Sequence, residues 1–145
     1  MSGDSRLLDP MPALDHADRM LRGIGAGTAG LWPRTAARLT RLAIERATDL
    51  YWSRTRPEMA ACPTTIRILM LEQALGRSGA RQAFLLWSRL SDATHVHPYE
   101  LAPTVSELRN WHKESTHLVI QLAAAGATPT SGTSSGTTEQ GSPPG

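Results

Sequence analysis

A chain of 145 residues with 40% hydrophobic and 5% aromatic content holds enough apolar material for one modest core and excludes two. Its formal net charge of +2, carried by fourteen arginines and the single lysine Lys113 against 13 acids, is too small to identify a nucleic-acid-binding protein by itself. The one cysteine, Cys62, excludes an intrachain disulfide framework and a cysteine-rich zinc site, and fits a reducing cytoplasm.

The chain opens on "MSGDSRLLDPMP", which carries acids and no apolar segment, so residues 1–10 are expected to be a flexible lead-in and not a secretion signal. Helical periodicity then dominates and strand-like alternation is nearly absent. A first helix is predicted from about Met11 to Ile24, with Leu14, Ala17, Leu21 and Ile24 at spacings of three and four. A second begins near Pro33, a residue suited to a first helical turn. It presents Leu39, Leu42, Ala43, Ala47, Leu50 and Tyr51 on one face and is stopped by Pro57. A third is expected over Thr65–Leu75, ended by Gly76, although the dense run "IRILML" at 66–71 would also suit a buried strand. That run is too short to span a bilayer, so no membrane association is expected. A fourth helix covers about Gly79 to Thr94, with Ala80, Ala83, Phe84, Trp87 and Leu90 inward. The fifth has the clearest start: Thr104 and Glu107 form a capping-box pattern behind Pro103, and Leu108, Trp111, Leu118 and Leu122 follow. From Ala127, "ATPTSGTSSGTTEQGSPPG" cannot bury enough surface to offset its ordering entropy, so residues 127–145 are expected to be a disordered tail. The expected fold class is therefore all-α, a compact bundle of four to five helices over residues 11–126.

Several motifs carry chemistry elsewhere, and each has a plainer explanation here. Gly25, Gly27 and Gly30 in "GIGAGTAG" have GxGxxG spacing, but the segment before them is helical where a dinucleotide site needs a strand, so a linker and no cofactor is expected. Arg34, Arg38 and Arg41 fall on one side of the second helix, either as a solvated face with Glu45 completing an ion pair or as a phosphate-binding stripe. Arg67, Arg77 and Arg81 would widen that stripe if packing placed them alongside it. Trp52, Trp87 and Trp111 are expected as core or interface plugs, and Cys62 as inert. His95 and His97 have only Asp92 and Glu100 beside them, so no metal is expected. His112 and His117 do not share a helix face and are expected as surface or helix-terminal residues.

The stretch "WSRLSDATHVHPYELAPTVSELRNW", residues 87–111, remains. Arg89 near a helix end is followed by His95, and His97 opens an H-x-Y element with Tyr99. Histidine exchanges a proton near neutral pH and arginine stabilises a phosphate gaining negative charge, which suffices for metal-free RNA cleavage by the ribose 2′-hydroxyl. On these residues, and on the capped last helix behind them, the chain resembles the HEPN superfamily of small all-α nucleic-acid-associated domains. The resemblance covers residues 35–125 in architecture and is specific over Arg89 to Tyr99. It implies ribonuclease roles for Arg89 and His95, secondary roles for His97 and Tyr99, and a homodimer that joins two copies of the site. It also implies a place in a toxin or defence system with a protein antitoxin that modifies the tyrosine. Leu90 stands where the family has a polar residue after the arginine. His95 has the arginine spacing and His97 the tyrosine spacing, so the two histidines share the family's features between them. The competing expectation is a noncatalytic regulatory or partner-binding bundle in which 89–103 is a joint and Arg89 pairs with Asp92. A third is a DNA-binding accessory factor using the stripe of Arg34, Arg38 and Arg41.

Overall fold

The computed structural model describes residues 8–23, 32–95 and 101–127. The glycine run with Gly25, Gly27 and Gly30, the segment holding His97 and Tyr99, and the expected tail beyond Ala127 lie outside the described residues.

The described chain is all-α: α1 (Met11–Arg22), α2 (Trp32–Thr55), a 3-10 turn (Pro57–Ala61), α3 (Thr64–Leu69), α4 (Glu72–Thr94) and α5 (Val105–Ala127). Cross-helix contacts fix their directions. Arg46 on α2 donates to the Asp9 carbonyl just before α1, and Arg109 at the start of α5 donates to the Leu21 carbonyl at the end of α1, so α1 runs against both α2 and α5. On α2 and α4, Arg41 meets Thr94 and Glu45 meets Trp87, so those two are also antiparallel. Four long helices thus alternate in direction around one core, and α3 with the 3-10 turn closes one end.

α2 is the hub, packing on α1, α4 and α5. Its buried face is built largely from small residues, Ala36, Ala37, Ala43 and Ala47, which let neighbouring helices approach closely. Thr40 and Thr48 are also buried there; their hydroxyls donate back to the Ala36 and Ile44 carbonyls at 2.8 Å, which meets their hydrogen-bonding need inside the helix. Leu14, Leu21, Ile44, Leu90, Leu118 and Leu122 fill the centre at no more than 6% exposure, enough removal from water to make this one continuous apolar core. Trp52 is buried as expected, and its indole N–H donates to the Arg67 carbonyl at 2.9 Å.

The expected third helix is interrupted. α3 stops at Leu69, Met70 and Leu71 turn the chain, and Glu72–Leu75 form one turn before a break at Gly76, where φ is 74° and ψ is 169°. Only glycine reaches that conformation without strain, so Gly76 punctuates the chain as its identity suggested. Arg67 secures the corner: its guanidinium donates to the carbonyls of Ala60 and Cys62 and to the Thr64 hydroxyl, and pairs with Asp49 at 3.1 Å. This arginine belongs to the scaffold and is not part of a wider basic surface. No described helix is long and apolar enough to cross a membrane.

Candidate functional site

The site candidate lies at the opposite end of the bundle, where α2 begins, α4 ends and α5 begins. A cavity of about 230 Å³ opens there, lined by Arg34 from α2, Arg89, Asp92 and His95 from the end of α4, and Leu101 to Pro103, Glu107 and Trp111 from the start of α5. Local chemistry places each of them. Leu90 is fully buried, which orients the last turns of α4 and leaves Arg89 on the outer side. His95 is the first residue off that helix: its backbone is extended at φ −88° and ψ 143°, while its N–H still donates to the Asp92 carbonyl at 3.1 Å. The imidazole is therefore carried at a fixed helix end.

Thr104 sets the other wall. Its hydroxyl accepts from the Glu107 N–H at 3.1 Å, as an N-cap should, and lies 3.3 Å from the Glu107 carboxylate, to which it donates. The reciprocal arm of a capping box is thus a side-chain contact between the same two residues. Glu107 sits in the first helical turn, where a negative charge is favourable, and Trp111 follows one turn later and is half-buried at the cavity wall.

Arg89 and His95, the two residues of the Arg-to-His element that fall among the described residues, line one cavity. Arg89 is exposed and makes no hydrogen bond or ion pair among the described residues, so it is not held by Asp92 one turn on. It also lines a second, larger groove of about 540 Å³ between α4 and α5, with Asn110, Lys113 and His117 on the facing helix. His97 and Tyr99 lie outside the described residues.

The stripe of three arginines is divided by its surroundings. Arg41 is half-buried, 3.5 Å from the Glu45 carboxylate and 3.3 Å from the Thr94 hydroxyl, to which it donates; Glu45 also accepts the Trp87 indole N–H at 3.1 Å. This network joins α2 to α4 behind the cavity. Arg38 is exposed outside the cavity, and Arg34 points into it. His112 is not a plain surface residue: its Nε2 donates to the Leu14 carbonyl at 2.9 Å and fastens α5 to α1. Among the described residues, no group of three histidine, cysteine, aspartate or glutamate side chains comes together to hold a metal ion.

Sequence reasoning did not bring Arg34, Asp92, Glu107 and Trp111 to one place, because their convergence depends on the crossing of three helices. One local signal was available: α2 has no acid in its first turn and carries Arg34 there, against the preference of a helix N-terminus for negative charge. No protein-family model, curated protein or solved structure matches the chain.

Proposed function

We propose that the protein is a HEPN-like, metal-independent endoribonuclease acting at the cavity of Arg89 and His95. The observation that carries this reading is that an exposed arginine without a described partner and a histidine at a fixed helix end line the same cavity, six positions apart in sequence. The imidazole of His95 takes the proton of a ribose 2′-hydroxyl, whose oxygen attacks the adjacent phosphorus. The bond from phosphorus to the 5′-oxygen breaks, that oxygen is protonated from water, and the imidazolium returns its proton to solvent. The products are a 2′,3′-cyclic phosphate and a 5′-hydroxyl. Arg89 stabilises the added negative charge on the phosphoryl oxygens as the fifth bond forms. His97 and Tyr99 follow His95 in the chain and are the secondary candidates. The reading extends to a cytoplasmic homodimer that brings two copies of the site together, with a protein antitoxin as its regulator.

The test is incubation of the purified protein with single-stranded and structured RNA in the presence of EDTA. Cleavage by the native chain, lost in Arg89→Ala and in His95→Ala with unchanged thermal unfolding, is expected. No cleavage, or cleavage unaffected by both substitutions, overturns the enzymatic reading.

A second reading, a noncatalytic partner-binding bundle, draws on the exposed face of α3. There Ile66 and Leu69, with Met70 at the turn that follows, are 43%, 41% and 48% exposed, an apolar face of the kind that docks other proteins. Under it, the His95 substitution changes thermal stability, and no RNA cleavage is found for the native chain or for any variant.

A further inference from the structure

We infer that Arg34 is a second phosphate-gripping residue of this site, so that Arg34 on α2 and Arg89 on α4 form a two-guanidinium clamp on an RNA phosphate. The inference rests on the proposed RNA site and adds a residue from a different helix to it.

Three observations lead to it. Arg34 and Arg89 come from helices separated by more than fifty positions in the chain and line the same 230 Å³ cavity. Neither makes a hydrogen bond or ion pair among the described residues, although Asp92 and Glu107 line that cavity too. A fold that needed these arginines only to neutralise those acids would pair them. Finally, Arg34 occupies the first turn of α2, where the helix dipole already presents positive charge and no acidic side chain offsets it. Both guanidiniums therefore stand at one cavity without a direct bond to the Asp92 or Glu107 carboxylate, which leaves their N–H donors available to an incoming phosphate. Guanidinium groups favour phosphate because their fork of N–H donors matches two phosphoryl oxygens at once. Trp111 on the same wall is an aromatic surface of the type on which an unpaired base stacks, which makes single-stranded RNA the fitting ligand class.

The position of Arg38 supplies the control. It lies four residues from Arg34 on the same helix, carries the same charge and is exposed outside the cavity. Binding is measured by fluorescence anisotropy on the full chain with a short single-stranded RNA bearing 2′-O-methyl groups throughout, which cannot supply the nucleophile, over a series of salt concentrations. Arg34→Ala is expected to weaken binding at least tenfold at low salt and to make the logarithmic salt slope shallower by about 0.7, the value for one lost single-strand phosphate contact. Arg34→Lys, which keeps the charge and loses the fork, should fall between Arg34→Ala and the native chain, and Arg38→Ala should bind as the native chain does. Thermal unfolding of each variant establishes that it is folded. Native-like affinity and slope for Arg34→Ala, in a chain where Arg89→Ala weakens binding, overturn the clamp and leave the proposed function standing. Equal losses for Arg34→Ala and Arg38→Ala also overturn it, since diffuse charge then accounts for binding. If the native chain does not bind the probe, the clamp and the RNA reading fall together.

Discussion

Arg89 and His95 flank the last turn of α4, one on the exposed side of the helix and one at its extended C-cap, and both line the cavity into which Arg34 also points. The helix end holds the imidazole and the guanidinium in a fixed relation, while the start of α5 forms the facing wall. The candidate chemistry thus sits where three helix ends meet, on rigid elements that can hold a productive geometry.

From the chemistry assigned to each group, Arg89→Ala should reduce RNA cleavage roughly 100- to 1,000-fold, the usual effect of removing a donor that stabilises developing negative charge. Arg89→Lys should recover part of this, because it restores charge without the two-pronged donor geometry. Initial-rate measurements on a defined RNA check both; equal rates for the lysine and alanine variants would show that charge at this position is irrelevant.

Asp92 lines the cavity and makes no ion pair with Arg34 or Arg89. Its carboxylate therefore repels an entering phosphate without anchoring the arginines. Asp92→Asn should tighten RNA binding severalfold and leave thermal stability unchanged, as read by anisotropy and by unfolding. A large loss of stability would place Asp92 in the scaffold instead.

At the other end of the bundle, Arg67 ties the 3-10 turn, α3 and α2 together through three hydrogen bonds and the Asp49 ion pair. Its side chain is 15% exposed and that of Asp49 is 34% exposed, so solvent screens the ion pair and the carbonyl contacts carry more of the effect. Arg67→Ala should cost about 2–3 kcal/mol in denaturant unfolding, mostly from carbonyls left without their charged donor. A cost near zero would contradict the role of this arginine as a structural tie.

Burial raises the Asp49 carboxyl above its ordinary value of 3.8; the Arg67 charge opposes the shift and Glu45 adds to it. Burial outweighs the ion pair, so the folded state favours the protonated carboxyl relative to the unfolded chain. The stability contributed by this group is fully present below pH 3.8 and is lost as pH rises through the elevated folded value. Asp49→Asn does not titrate. The native chain should therefore lose Tm relative to Asp49→Asn between acid and neutral pH, and a relative gain would reverse the assigned direction.

Gly76 has a positive φ, and a Cβ added there meets nothing within 4 Å. Gly76→Ala should thus be penalised by backbone conformation alone, by about 1–3 kcal/mol. Denaturant unfolding measures this; a neutral substitution would mean that the break at Gly76 within α4 relaxes without strain.

The all-α class and most helix limits were legible because the signals are local. Pro33 and Pro57 bracket α2, Thr104 with Glu107 starts α5, Leu14, Ala17 and Leu21 at spacings of three and four mark the buried face of α1, and Leu118 and Leu122 lie on that of α5. The break at Met70 and Leu71 was not legible, since "IRILML" continues a helical pattern and the turn is closed by the backbone bonds of Met70 to Ile66 and Leu71 to Ile68. At the site, the Arg89 and His95 pairing was available from spacing, whereas the divergence of Arg34, Arg38 and Arg41 was not. The i,i+4 pair of Arg41 with Glu45 was legible in the spacing, but only the packing of α4 and α5 against α2 directs Arg34 into a cavity, leaves Arg38 in solvent and brings Thr94 to Arg41.

The most direct measurement is the mass of the fragments released from a defined single-stranded RNA by the purified protein in EDTA, beside the same RNA with 2′-deoxyribose at the cleaved position. Fragments ending in a 2′,3′-cyclic phosphate and a 5′-hydroxyl, absent with the deoxy substrate and with His95→Ala, are the expected result. Intact RNA, or products formed equally from the deoxy substrate or by His95→Ala, would contradict the assignment of this cavity as a ribonuclease site.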